Sequence, residues 1–356
     1  MKLFEHYRLA NLELKNRVVM APMTRSRAVT NNTPNELIAQ YYAQRADAGL
    51  IITEGSSPSP NGLGYQRIPG IYSQDQAHGW KIVANAVHQK GGKLFVQIMH
   101  TGRIGHPANL PTGAQLLAPS AVKAAGQIFT DKEGLKDYIV PKAMSAEELW
   151  AAKYEFIDSA KNVTGAGVNG IELHAANGYL LEQFLNPHTN LRNDEYGGSI
   201  ANRSRFIIEV AAGIAEAIGE DKVGIRFSPY GVNGDMAPYP EIDATYEYLA
   251  TELNKIGIAY IHIGAVPETA NPLKLKIRSL FKQTFILNGN YDKKKAEDDI
   301  ETGKADLISF GRPFITNPDF VERLQNDLPL NNELKDKLLF SPGSEGYTDY
   351  PVYQKA

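Results

Sequence analysis

Ten residues near the middle of the chain, Gly170-Ile171-Glu172-Leu173-His174-Ala175-Ala176-Asn177-Gly178-Tyr179, combine reactive groups with a means of placing them. They begin as a short apolar run of the kind that forms a buried strand, and they break at Asn177-Gly178, a turn pair. An imidazole, a carboxamide and a phenol therefore fall together where a strand ends. His174 and Asn177 each offer hydrogen-bond donors, and Tyr179 carries a phenolic proton. The set suits an electron-withdrawing oxygen held by two donors with a proton source beside it. The same residues also suit a strand-end histidine bonded to backbone and a plain Asn-Gly turn. The surrounding pattern has to decide.

Composition narrows the field. The 356 residues allow two domains, but α/β barrels of this length are commonly one, and a single domain over 1–356 is expected. Apolar residues make up 43% and charged residues 22%, ordinary for a globular protein. A net charge of −3 gives no broad field for nucleic acid or an anionic membrane. With no cysteine, disulfides, thiolate chemistry, iron–sulfur clusters and cysteine zinc sites are excluded. The stretch from Met1 to His6 carries no long apolar region, so no signal peptide is expected. No apolar run is long enough to span a membrane. The expectation is a cytoplasmic monomer or homodimer that acts on small molecules, with no nucleic-acid or membrane partner.

The elements that must position the strand-end residues alternate. Val18 to Ala21 reads as a strand stopped by Pro22, and Asn35 to Ala48 as a helix with Pro34 at its start. Leu50 to Thr53 is a second strand, Gln76 to Gln89 a helix, and Leu94 to Ile98 a third strand. A long Pro- and Gly-rich insertion, roughly 100–144, reads as a lid or hairpin cap. Ser145-Ala146-Glu147-Glu148 starts the next helix like a capping box. After the strand that carries His174 come a helix at Ile200–Ile218, a strand at Val223–Ser228, a helix at Ile242–Ile256 and a strand at Ala259–Ile263. A helix at Pro272–Phe281, a strand at Thr284–Asn288, a helix at Lys293–Glu301, a strand at Leu307–Phe310 and a helix at Pro318–Gln325 complete the run. The strands are continuous apolar runs, as in a parallel sheet covered on both faces. Eight such units predict an α/β fold, a (β/α)8 TIM barrel with a long insertion after strand 3.

Active sites in this fold lie at the C-terminal strand ends. Polar and small residues collect there: Thr24, Gly55, Gln97, His174 with Asn177, Arg226, then Asn288-Gly289-Asn290 and Gly311-Arg312. Carboxylates and histidines in metal-site numbers are absent, so no metal is expected. Neutral donors with two arginines suit a large anionic organic cofactor. The last two loops suit its phosphate, with glycine admitting backbone N–H groups and Arg312 adding charge. Arg226, flanked by Ile225 and Phe227, needs a buried partner: an internal carboxylate, or a cofactor group carrying negative charge.

The chain resembles the Old Yellow Enzyme family of FMN-dependent ene-reductases over nearly its whole length. The resemblance rests on Ala21-Pro22-Met23-Thr24-Arg25-Ser26-Arg27, Tyr41-Tyr42-Ala43-Gln44-Arg45-Ala46, His100-Thr101-Gly102-Arg103, and the run from Gly170 to Pro187 continued from Asn190 to Ser199. It implies that Pro22, Met23 and Thr24 line the flavin, with Thr24 tuning its potential. Gly55, Gln97 and Arg226 would contact ring and ribityl chain, and Gly289, Asn290, Gly311 and Arg312 the phosphate. His174 and Asn177 would bind the substrate oxygen, and Tyr179 would donate the proton. Tyr65 and Tyr347 fall where relatives place pocket aromatics. Met99 replaces a pocket tryptophan of many relatives, which implies room for bulkier β-substituents. Thr24 stands where one subgroup has cysteine.

The implied reaction is reduction of tightly but non-covalently bound FMN by NADPH or NADH. Hydride transfer from flavin N5 to the β-carbon of an α,β-unsaturated carbonyl or nitro compound follows, with protonation by Tyr179. The alternatives are a non-enzymatic flavin-binding protein and a metal-independent barrel aldolase or isomerase. The second lacks a good lysine or carboxylate base at a strand end.

Overall fold

A computed structural model describes residues 1–354. Eight strands close into a parallel barrel in chain order: β1 (Val18–Met20), β2 (Leu50–Ile52), β3 (Leu94–Ile98), β4 (Gly170–Ala175), β5 (Val223–Phe227), β6 (Tyr260–Ile263), β7 (Thr284–Asn288) and β8 (Leu307–Phe310), with β8 pairing β1. The barrel helices are α1 (Glu36–Ala43), α2 (Gln74–Gln89), α3 (Ala146–Gly165), α4 (Ile200–Ile218), α5 (Ile242–Ile256), α6 (Asn271–Leu280), α7 (Lys293–Glu301) and α8 (Phe320–Gln325). The expected (β/α)8 barrel is therefore the fold. Both faces of its strands are covered, which is why β2 to β5 are buried at every position.

Strand alternation divides the interior into storeys. Val19, Leu50, Ile52, Phe95, Tyr260, Ile286 and Leu307 form an apolar floor. Leu9 and Leu14 join it from an N-terminal hairpin, Tyr7–Leu9 with Leu12–Leu14, that closes the barrel's lower end. That hairpin is not evident in the sequence pattern. Two residues further up the same strands the inward side chains turn polar: Glu54 above Ile52, Gln97 above Phe95, His262 above Tyr260, Ser309 above Leu307. Two glycines free space for the floor's rings. A Cβ on Gly170 would lie 2.4 Å from the Phe95 ring, and one on Gly224 2.1 Å from that of Tyr260.

Helix starts follow the sequence. Ser73 with Gln76 and Ser145 with Glu148 form capping boxes, and Asn35, Ser199 and Asp292 accept from backbone N–H groups of the first turn. Three bounds differ from expectation by two residues or more. α1 stops at Ala43, where Arg45 turns its guanidinium to the carbonyls of Tyr41 (2.8 Å), Phe314 (2.7 Å) and Ile315 (3.0 Å). α2 starts at Gln74, set by the Ser73 cap, and α8 starts at Phe320. The insertion carries an antiparallel hairpin, Gln127–Thr130 with Gly134–Asp137. Arg67 ties that hairpin down, donating to Ser26 O at 3.2 Å and Phe340 O at 2.6 Å while pairing with Asp131 of the hairpin. Among the described residues no helix is long and apolar enough to cross a membrane.

Candidate active site

His174 ends β4 with 5% of its surface exposed. The chain then turns through Asn177 and Gly178, both left-handed (φ +58° and +80°). Glycine is required at the second position, since a Cβ on Gly178 would lie 2.4 Å from Asn233 O. The turn is bonded on every side. The Asn177 N–H donates to Ser228 Oγ at 2.8 Å and the Gly178 N–H to a Glu182 carboxylate oxygen at 2.6 Å. Gln183 Nε2 donates to Gly178 O at 2.7 Å and to Thr101 O at 3.0 Å. Asn233 Nδ2 approaches Asn177 Oδ1 at 3.4 Å, so the Asn177 NH2 is what that amide has left to give.

Tyr179 follows at once. Its ring meets that of His174 edge-on, centroids 4.9 Å apart, and its hydroxyl lies 3.0 Å from that of Tyr65. Burial pushes the Tyr179 phenol up to about 12, against the Tyr65 hydrogen bond that lowers it. Tyr179 therefore holds its proton at neutral pH. His174 is held well below the usual imidazole range, first by burial and then by the charges of Arg226 and His262. It is a neutral imidazole with one N–H to offer.

Arg226 stands beside His174 and His262 in strand register. It is 7% exposed, and its Nε and Nη1 have no partner among the described residues. Gly264 makes space for it: a Cβ there would lie 3.4 Å from Arg226 Nε. The internal carboxylate is Glu172, but its oxygens are committed elsewhere. Gln97 Nε2 donates to one and His262 Nδ1 to the other, both at 2.8 Å, and Ser309 Oγ lies 2.7 Å from His262 Nε2. This chain assigns the His262 proton to Nδ1. Glu172 therefore neutralises Arg226 at a distance without occupying its N–H groups. A buried guanidinium with open donors fits the anionic edge of a flavin ring. Sequence reading did not single out Glu172, His262, Ser309 or Gly264.

On the β1–β2 side, Pro22, Met23 and Thr24 are partly exposed. Their loop is held by the buried Glu54, which accepts the N–H groups of Arg25 and Ser26, each at 3.0 Å. A Cβ on Gly311 would lie 3.5 Å from Met23 Sδ, so the β8 loop adjoins the β1 loop. Gly55 backs onto Met99, whose Sδ would be 2.6 Å from a Cβ there. Met99 clusters with Leu63 and Ile68, against which Tyr65 and Tyr179 pack. Met99 and Tyr179 thus belong to one packed cluster. At the ends of β7 and β8 a Cβ on Gly289 would meet nothing nearer than Tyr291 at 3.9 Å, and Asn290 and Arg312 are exposed. Tyr347 sits apart from the strand-4 group. It is buried, stacked on Tyr41 (4.0 Å, 9°) with Arg27 at 4.7 Å and Arg25 at 5.1 Å, and it anchors the C-terminal segment to α1. Among the described residues no group of three or more acidic or histidine side chains could hold a metal ion.

A closed parallel barrel with a polar mouth, neutral donors at β4 and an unpartnered cation beneath them defines a barrel enzyme for a large anionic cofactor. The profile of the NADH:flavin oxidoreductase / NADH oxidase family matches residues 2–331, and the chain belongs to that family, among proteins of Old Yellow Enzyme type. It is 37% identical to 12-oxophytodienoate reductase 7 of Oryza sativa subsp. japonica, covering 98% of this chain and 94% of that one. It is 37% identical to a probable flavin mononucleotide-dependent alkene reductase of Leishmania infantum, covering 95% and 94%. Among solved structures, morphinone reductase in complex with tetrahydroNAD superposes with a TM-score of 0.94 at 41% identity, covering 99% of this chain and 98% of that one. The old yellow enzyme homologue from Zymomonas mobilis does so at 0.93 and 37%, covering 99% and 100%.

Proposed function

We propose that this chain is an FMN-dependent ene-reductase that uses NADPH or NADH to reduce alkenes conjugated to a carbonyl or nitro group. The observation that carries this reading is His174 in strand register with the open guanidinium of Arg226, with Asn177 and Tyr179 grouped on the turn that follows it. Pro22, Met23, Thr24, Gly55, Gln97 and Arg226 would hold the flavin ring, and Gly289, Asn290, Gly311 and Arg312 its phosphate. When bound non-covalently there, FMN supplies hydride transfer between the nicotinamide and the alkene β-carbon.

The residues of the chain do the rest. His174 and Asn177 donate to the substrate oxygen. These bonds strengthen as negative charge grows on it, and donors fixed in advance by a bonded turn need no reorganisation. Arg226 supplies positive charge where the cofactor edge becomes negative. Tyr179 passes its proton to the α-carbon, and its raised acidity range means that it does so only as the carbon becomes strongly basic. Tyr65 and Met99 wall the pocket on the β3 side.

The test uses purified protein loaded with FMN. Bleaching of the flavin bands by NADPH or NADH, followed by reoxidation with 2-cyclohexenone in the absence of oxygen, is expected. A protein that binds FMN but does neither is a carrier. A colourless protein that FMN cannot reconstitute ends the reading.

A further inference from the structure

Glu182 lies behind the β4 turn, on the six-residue helix Leu180–Leu185, and the mechanism above makes no use of it. It is buried, 5% exposed, and one carboxylate oxygen takes the Gly178 N–H at 2.6 Å. The other takes the hydroxyls of Ser228 and Tyr246, each at 2.9 Å. Ser228 Oγ in turn accepts the Asn177 N–H. A serine hydroxyl has one proton, and here it points to Glu182, which leaves its lone pairs for Asn177. One carboxylate therefore holds both backbone N–H groups of a left-handed turn, directly for Gly178 and through Ser228 for Asn177. Among the described residues no cation lies within 4.0 Å of it.

The titratable groups around it are few. Tyr246 faces it from α5, and Tyr239 comes next from the β5–α5 connection. Arg203 of α4 stands 5.8 Å from the Tyr239 ring and is occupied by Leu185 O at 2.8 Å and Glu241 at 3.9 Å. Tyr230 bonds Asp243 at 2.6 Å. Nothing charged compensates Glu182 directly, and three neutral donors do so instead.

We propose that Glu182 is a positioning residue for substrate binding: its ionised carboxylate, acting with Ser228, fixes the Asn177–Gly178 turn so that Asn177 presents its amide beside His174, and protonation of that carboxylate releases the turn. The reason is donor arithmetic. All three neighbours donate, so each bond is charge-assisted while the carboxylate is ionised, and protonation weakens all three together. Burial raises the Glu182 carboxyl to about 7, with the three hydrogen bonds opposing, so the release falls within the working range. Below about 7 the turn loosens, and above it the turn is fixed.

This inference rests on the ene-reductase reading for its consequence but not for its structure, and two readouts on the FMN-loaded protein separate the two. The first is amide hydrogen exchange of the peptide spanning Asn177 and Gly178, corrected for intrinsic rates, at pH 6 and pH 8. Wild type is expected to be protected at pH 8 and to lose about tenfold at pH 6, one unit below the midpoint. Glu182→Gln keeps the shape but sets an NH2 among donors, and is expected to be unprotected and flat with pH. Ser228→Ala should free Asn177 alone. The second readout is the Kd of 2-cyclohexenone, a probe with no titratable group, for oxidised enzyme without reductant. It is expected to rise severalfold in wild type from pH 8 to pH 6 and to be raised and flat in Glu182→Gln, while Glu182→Asp, which keeps the carboxylate, restores the pH dependence. Protection of Asn177 and Gly178 in Glu182→Gln equal to wild type at both pH values overturns the proposal, whatever the alkene does. Wild-type protection that behaves as stated with no cyclohexenone binding at any pH leaves the brace standing and removes the ene-reductase reading. Should Glu182→Gln fail to retain FMN, the wild-type and Ser228→Ala exchange profiles decide: pH-independent protection in wild type, or unchanged protection of Asn177 in Ser228→Ala, overturns it.

Discussion

The β4 corner and the β7–β8 corner of the barrel mouth are built on opposite plans. At β4 the chain is buried, left-handed, and bonded at Asn177 N, Gly178 N and Gly178 O before any substrate arrives. At β7 and β8 the glycines are less hemmed in, a Cβ meeting nothing nearer than 3.9 Å at Gly289 and 3.5 Å at Gly311, and Asn290 and Arg312 face solvent. On the proposed reading the difference follows from the two ligands. A developing oxyanion is stabilised only by donors already aimed at it, so the angular tolerance is small and the turn is clamped. A phosphate presents several oxygens to charge and backbone N–H, and tolerates a looser setting. Rigidity is placed where charge changes during the reaction, and exposure where it does not.

The sharpest break in that comparison is Tyr179→Phe. It removes a proton and little else from the packed corner, since the ring contact with His174 is retained. Reoxidation by 2-cyclohexenone in stopped flow should slow by about 10²–10⁴-fold, the usual range for a positioned proton donor. Reduction by NADPH and FMN retention should stay as in wild type. Equal reoxidation rates would take the role from Tyr179.

Arg226→Met tests the cation that lies between the two corners. Hydrogen bonds to charged groups contribute about 1.5–3 kcal/mol, so FMN affinity measured by dialysis should fall by about 10–100-fold. The same change leaves the buried Glu172 carboxylate without the charge that offsets it, so the melting temperature of the FMN-free protein should fall, and that of the loaded protein should fall further by the lost binding. An equal drop in both would mean that Arg226 does not contribute to holding the cofactor.

Much of this was legible in the sequence, and the gaps have a common cause. The barrel, the capping box at Ser145, and the clustering of His174, Asn177 and Tyr179 follow from local patterns: strand runs, cap residues and a turn pair. Glu172, His262 and Ser309 do not. Each sits in an apolar strand, and only the register that sets β4 beside β5 and β5 beside β6 brings His174, Arg226 and His262 to one level. Arg226 was recognisable as needing a partner, but the finding that Glu172 is engaged by Gln97 and His262 is a three-dimensional fact. Glu182 had no signal at all, because a glutamate in a helix is ordinarily a solvated one. Tyr347 shows the reverse: the resemblance set it among the pocket aromatics, and its stacking on Tyr41 places it with the fold's anchors.

Met99→Trp probes the wall between β2 and β3. Met99 is 1% exposed and lies against Gly55, so an indole there must push toward Tyr65 and the pocket. Selectivity for 2-cyclohexenone over a 3-substituted cyclohexenone, taken as the ratio of kcat/KM values, should rise by about tenfold, with FMN affinity unchanged. An unchanged ratio would remove Met99 from the pocket.

The smallest effect belongs to the open corner. Arg312 is exposed, and an exposed charge pair contributes about 0.2–1 kcal/mol. Arg312→Ala should weaken FMN binding by only about 2–5-fold at low ionic strength, and by less as salt screens the interaction. Reoxidation of the retained fraction by cyclohexenone should not change, since the β4 turn shares no bond with the β8 loop. A salt-independent loss of tenfold or more would mean that Arg312 closes over the phosphate and is shielded there. The two corners would then both be built as clamps, and the contrast between them would lie only in which ligand completes each one.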